Sequence, residues 1–161
     1  MLSKQELLKV VDQIDFLAQK DILGIPFLTH NASFNLVTQC PKKVNEVRFC
    51  VIFNVTAQDL TSLRGFGEKT AQRLIKNVST ASMNVSFVRF LRAAGMNKLS
   101  KTACECIAKN FKNYNDFKKN KALESLQLLV NNGLDQNSLK VITSREFWDD
   151  AELLSKFITM A

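Results

Sequence analysis

The chain repeats one short pattern four times: an apolar residue, a tight turn centred on a second apolar residue, then a helical run. The copies start near Ile25, Leu63, Met96 and Leu129. Such repetition restricts the fold more than any single motif, because each copy has to bury the same face against a neighbour. The clearest copy is Leu63-Arg64-Gly65-Phe66-Gly67-Glu68-Lys69-Thr70-Ala71-Gln72-Arg73-Leu74. Gly65 and Gly67 can take φ > 0, and neither puts a Cβ in front of the backbone. Phe66 is expected to point inward and anchor the turn. Ala71 suits a close approach of two helices, and Leu63 and Leu74 bury the seam.

The first amides of the helix that follows, at Glu68, Lys69 and Thr70, lack intrahelical acceptors and carry the positive end of the helix dipole. A helix start of this kind suits an anion, and Lys69 and Arg73 add full charges beside it. The combination predicts a helix-hairpin-helix, which grips a nucleic-acid phosphate by its backbone amides. The same residues also suit an αα-corner with no ligand.

Five Gly and two Pro in 161 residues leave little room for the many turns of a sandwich or barrel, so a mostly helical chain is expected. The length fits a single all-helical domain over residues 1–161, with hairpins near 25–37, 63–76, 96–108 and 131–142. The net charge of +7 is regional. Lysines and arginines crowd the stretch from Arg64 to Lys121, where the only acids are Glu68, Glu105 and Asp116, and the rest of the chain is slightly acidic. That distribution suits a polyanion-binding face. A membrane is a poorer partner, since no long basic amphipathic helix and no spanning apolar run stands out.

Cys40, Cys50, Cys104 and Cys106, with His30 as the single histidine, have no zinc-finger spacing, and no metal is expected. Reduced buried thiols and the lack of a signal peptide predict a cytoplasmic protein.

Along the chain, Ser3 to Glu6 is a capping-box signal, and helical spacing continues to about Lys20. In the first copy Phe27 and Thr29 occupy the two glycine positions, Leu28 matches Phe66, Ser33 matches Ala71, and Leu36 matches Leu74. Val47, Phe49, Val51 and Phe53 alternate as a strand does. A lone strand has nothing to pair with, so a short helix is preferred. Thr56 caps a short helix into the central turn, and the helix after Gly67 is expected to end near Val78. Ser82 is expected to open the next helix, which ends at Gly95.

In the third copy Leu99 is the inward residue. Ser100 stands at the second glycine position, bracketed by Lys98 and Lys101, so a side-chain cap replaces bare backbone. Asn115 or Asn120 is expected to start a short helix. Gly133-Leu134-Asp135 is the fourth turn, with a carboxylate where a phosphate would sit. A closing helix is expected from Asp150 to about Thr159, with Asp149, Asp150 and Glu152 at its start complementing the dipole. Trp148 beside Phe147 suits packing better than base stacking.

The order of Ile14-Asp15-Phe16-Leu17, a hairpin, Leu63–Leu74, and then Phe90-Leu91-Arg92-Ala93-Ala94-Gly95-Met96 leading to Ser100-Lys101-Thr102-Ala103 and Phe111 resembles the four-hairpin domain of NAD-dependent DNA ligases. The resemblance covers nearly the whole chain and is most specific at Leu63–Leu74 and Phe90–Phe111. It implies an all-α domain of four helix-hairpin-helix repeats, arranged as two pseudo-symmetric pairs. It also implies a non-catalytic, sequence-nonspecific grip on the backbone of nicked double-stranded DNA, in repair and replication. Gly65, Phe66, Gly67, Lys69, Thr70 and Arg73 would hold one phosphate, and Lys98, Ser100, Lys101 and Thr102 another. The Lys-x-Asp-Gly nucleophile motif of the family's adenylation domain is absent from this sequence. NAD would therefore serve only through an adenylation domain elsewhere in a longer ligase, and the other ligase domains would be partners. The chain alone is not expected to ligate.

Two further readings stay open: a degenerate hairpin module for protein–protein interaction, or a free-standing DNA-binding accessory protein. An independent nuclease or glycosylase would need a carboxylate cluster or a catalytic Asp or Lys that the turns do not offer.

Overall fold

The computed structural model describes residues 2–161, and α-helices α1–α12 carry them. Among the described residues the one bridge of β type joins Val85 to Met160. The fold class is all-α.

Helix α1 (Lys4–Ala18) starts at the predicted capping box, with reciprocal bonds between Ser3 and Glu6. It buries Val10, Val11, Ile14 and Leu17 and packs on α2 (His30–Gln39) across the Gly24–Thr29 turn. Pro41 begins α3 (Pro41–Val47), where its missing N–H costs nothing. The alternating stretch is helical: a 3₁₀ turn at Arg48–Cys50 runs into α4 (Val51–Asn54). Phe49 is fully buried and Phe53 stacks on Phe157, so both of its aromatics are spent on packing. Thr56 and Asp59 form a second capping box at α5 (Ala57–Thr61), and α6 (Glu68–Ala81) follows the central turn, ending three residues beyond Val78.

Helix boundaries differ from the sequence expectation at several places, two of them set by hydrogen bonds. Ser82 closes α6 instead of opening α7 (Phe87–Gly95), which Ser86 caps. Asn84 at φ 53 reverses the chain. The Val85 amide then donates to the Thr159 carbonyl and the Thr159 amide to Ser82, so backbone here is committed outside any helix. After α8 (Lys101–Asn110), the cap of α9 (Tyr114–Lys119) is neither Asn115 nor Asn120. It is Asn113, whose Oδ1 accepts from the Asp116 amide at 2.9 Å. Asn120 lies past the end and donates back to the Asp116 carbonyl.

Helices α10 (Leu123–Asn131) and α11 (Gln136–Ile142) form the fourth turn-and-helix unit, and α12 (Arg145–Ser155), capped by Ser144, begins five residues before Asp150. The carboxylates expected at its start therefore lie in its interior and do other work. Asp150 is buried against Arg48, and Glu152 accepts from the Tyr114 hydroxyl and pairs with Lys118.

One continuous apolar core runs through both halves, with Phe90 and Phe117 among its fully buried members. Trp148 packs on Phe117 and Phe147 and donates its indole N–H to the Ile142 carbonyl. A second tie between the halves comes from Arg89, whose guanidinium donates to the carbonyls of Ile22 at 2.7 Å and Leu23 at 2.9 Å. These bonds fix α7 against the first turn.

Candidate nucleic-acid interface

Four helices begin in nearly the same backbone geometry. Thr29 (φ −78, ψ 168), Gly67 (φ −82, ψ 169), Ser100 (φ −71, ψ 162) and Asp135 (φ −75, ψ 159) are the N-cap residues of α2, α6, α8 and α11. Each follows an apolar residue turned into the protein: Leu28, Leu99 and Leu134 are buried and Phe66 is half-buried. Phe66 is thus a weaker anchor than its position suggests. Two residues before the cap, Phe27, Gly65 and Gly133 have positive φ. In the third unit the left-handed residues are Met96 and Asn97, at the end of α7.

What distinguishes the starts is the amide three residues into each helix. Thr29 accepts the Ala32 amide at 3.2 Å, Ser100 the Ala103 amide at 3.1 Å, and Asp135 the Ser138 amide at 3.0 Å. Gly67 has no side chain to do this, and the amides of Glu68, Lys69 and Thr70 have no acceptor among the described residues. The start of this 14-residue helix therefore offers three exposed donors at the positive end of its dipole.

The glycines themselves separate packing from other demands. Gly65 needs its φ of +91, which an L side chain tolerates poorly. Gly95 is held by contact, since a Cβ there would meet three Leu99 side-chain atoms at 2.9 Å. Gly67 has ordinary extended backbone rather than the left-handed conformation open to it, and a Cβ there meets nothing within 4 Å. Neither strain nor crowding within the chain requires glycine at that position.

The predicted site residues fall into two groups. Gly65, Gly67, Lys69, Thr70 and Arg73 are exposed around the central turn, and Ala71 is fully buried beneath them, where α6 crosses its neighbours. Among the described residues neither Lys69 nor Arg73 has an acidic partner; the Arg73 guanidinium instead lies 5.1 Å from the centroid of the Phe27 ring. At the third turn Lys101 and Thr102 are exposed and their side chains form no salt bridge or hydrogen bond among the described residues, whereas Lys98 is paired with Glu146 at 3.1 Å and the Ser100 hydroxyl is used as the cap. Lys98 and Lys9 hold the Glu146 carboxyl below the usual carboxylate range. At the fourth turn, the Ser138 hydroxyl and amide depress the Asp135 carboxyl, keeping a negative charge where the central turn has none.

The turns are also fastened to each other. Asn77 on α6 donates to the Pro26 carbonyl in the first turn at 3.0 Å, and Gln39 on α2 accepts the Arg64 amide of the central turn at 3.2 Å. Arg73 covers Phe27, and the Asn35 side chain lies against Gly65. Aligning the two units makes Pro26 equivalent to Arg64, Phe27 to Gly65, Asn35 to Arg73 and Gln39 to Asn77. Each turn therefore rests on the same positions of the other unit's helix. The second half repeats one side of this arrangement. Asn132 in the fourth turn accepts from the Cys106 thiol and donates to Asn110 at 2.9 Å, and these two helix positions match Arg73 and Asn77.

Sequence reasoning missed Phe27, Gln39, Asn77 and Arg89. Only Phe27 gave a signal, a large side chain at a glycine position. The thiols are spread out: Cys50 and Cys104 are buried, with the Cys104 thiol pushed up to about 12 by burial, and Cys40 lies half-buried at the end of α2.

The fold and its turns define a helical class of chain built from fastened turn-and-helix units. Comparison with known proteins makes this more particular. No family model matches the chain. It is 32% identical over 76 residues to a DNA ligase of Rickettsia akari (strain Hartford), a match covering 47% of this chain and 10% of that protein. It is also 30% identical over 87 residues to a DNA ligase of Rickettsia canadensis (strain McKiel), covering 54% of this chain and 12% of that protein. The matched segment thus spans about a tenth of the length of these curated relatives. About half of the chain is similar to part of a DNA ligase.

Proposed function

We propose that the chain is a non-catalytic DNA-binding domain of the kind found in NAD-dependent DNA ligases, with four helix-hairpin-helix units in two pseudo-symmetric pairs. It grips the sugar–phosphate backbone of duplex DNA around a nick. The observation that carries this reading is the start of α6: three free amides, no cap, a glycine that neither strain nor packing requires, and unpaired Lys69 and Arg73. Reciprocal fastening of the turns supports the paired arrangement, since two like grips related by a twofold suit the two like strands of a duplex. The similarity to DNA ligases supports the substrate.

The third turn is a second, weaker contact through Lys101 and Thr102, with Ser100 spent as a cap and Lys98 shared with Glu146. The first and fourth turns act chiefly as fasteners. No residue here is assigned to catalysis or to NAD. Strand sealing belongs to other domains of a longer ligase, the partners of this one.

Phosphate contacts position a protein without reading sequence, and they release counterions. Fluorescence-anisotropy titrations against nicked, intact and single-stranded DNA across a salt series test the proposal. Duplex binding should be insensitive to sequence and weaken steeply with salt. A flat salt response, strong preference for one sequence, or no binding at low salt would refute it, and the last result would favour a protein-interaction module.

A further inference from the structure

Phe27 occupies a conformation that suits another residue. Its φ of +67 lies where a Cβ is costly, and a bulky residue held there marks a constraint imposed from outside the residue. Burial does not compensate, because the residue is 60% exposed. Its equivalent in the partner turn is Gly65, for which positive φ is easy. The loop is pinned from below by the Asn77 bond to the Pro26 carbonyl. The guanidinium of Arg73, which has no carboxylate partner among the described residues, lies over the ring. One aromatic face is thus backed by a cation, while most of the ring meets solvent.

The charge around it selects the kind of partner. Helix α6 presents Lys69, Arg73 and Lys76 to solvent, and Glu68 is its single acid. A polyanion that also offers flat π faces is a nucleic acid, and aromatic side chains with an adjacent Arg stack on bases without regard to sequence.

We infer that Phe27, backed by Arg73, stacks on a nucleobase left partly unstacked at an interruption of one DNA strand. The inference rests on the duplex-binding reading above and adds a base contact to a grip otherwise made of phosphates. It gives the first turn, which lacks both glycines, a role that its own N-cap cannot supply. It also gives the paired turns unequal tasks: the central one holds backbone, the first one senses stacking.

The test is Phe27→Gly, because glycine suits this φ and removes the ring without leaving a strained residue. Circular dichroism melting should find the variant at least as stable as wild type. In anisotropy titrations its affinity for a nicked duplex should fall about tenfold. The loss on intact duplex should be smaller, and the salt slope unchanged because no phosphate contact is removed. With 2-aminopurine placed beside the nick, wild type should alter the probe's fluorescence and the variant should not. Phe27→Trp should retain both effects. If wild type binds but Phe27→Gly binds nicked DNA equally well, or loses the same factor on intact DNA, the base contact is wrong and the backbone grip stands. If wild type binds no DNA, both readings fall together.

Discussion

Replacing Gly67 by Asp should make the protein more stable and much worse at binding DNA. The structure supplies the worked comparison in Asp135, which caps α11 with nearly the same φ and ψ as Gly67 and accepts the Ser138 amide at 3.0 Å. A Cβ on Gly67 meets nothing within 4 Å, so the side chain enters without a clash and can take the free Thr70 amide. Three small gains follow: a few tenths of a kcal/mol for the cap, about 0.3–1 kcal/mol from a negative charge at a helix start, and about 0.4–1 kcal/mol from a stiffer unfolded chain. Repulsion from Glu68 offsets part, leaving roughly 0.5–1.5 kcal/mol, or a melting temperature higher by roughly 2–5 °C for a chain of this size.

The effect on binding runs the other way. A phosphate loses an amide donor, worth about 1.5–3 kcal/mol for a charged acceptor. It also meets a carboxylate about 4 Å away, a repulsion that solvent and salt reduce well below the ~4 kcal/mol of an effective dielectric near 20. Affinity at low salt should fall roughly a hundredfold. Urea titration and duplex anisotropy on the same samples measure both sides. Unchanged DNA binding would refute the phosphate site, and a clear loss of stability would refute the cap geometry.

Gly95→Ala should cost about 1–3 kcal/mol in urea unfolding, because the added methyl overlaps the buried Leu99 side chain. Arg89→Ala should cost about 2–4 kcal/mol by stranding the Ile22 and Leu23 carbonyls, with Arg89→Lys a poor substitute for the two-pronged bond; the salt slope of DNA binding should not move. Lys69→Ala should reduce that slope by about 1, and Lys98→Ala by less, since Glu146 already neutralises Lys98. The Asp15 carboxylate, 2.6 Å from His30, raises the histidine above its ordinary 6.5. A raised folded pKa contributes stability that is complete below 6.5 and is lost as pH rises through the higher folded value. The melting temperature should therefore drop as pH rises from about 6 to 8, and His30→Gln should flatten that drop.

Local signals carried the turns. Thr29, Gly67, Ser100 and Asp135 could be placed from apolar spacing alone, because a cap is decided by residues within three or four positions of itself. The alternating stretch from Val47 was resolved by asking what a lone strand could pair with. The failures were long-range. Ser82 is as good a cap as Ser86, and only the bridge to Thr159 removes it from contention. Asp149, Asp150 and Glu152 looked like a helix start because nothing nearby reveals that Asp150 meets Arg48, or that Glu152 meets Tyr114 and Lys118. At the candidate site, the central residues were legible from their two glycines and flanking cations. The engagement of Lys98 by Glu146, and of Arg73 by Phe27, depends on how the units meet, which spacing within one unit does not encode.

The crosswise fastening of the turns also bears on how such a chain can change over generations. A turn whose shape depended on its own glycines would collapse when they were lost, and selection would remove the copy. Here the first, central and fourth turns are steadied by a neighbour's Asn or Gln, and the sequences Phe27-Leu28-Thr29 and Gly133-Leu134-Asp135 still hold the outline of Gly65-Phe66-Gly67. A turn held in this way can lose its glycines and keep its outline, so its sequence is free to change where its shape is not.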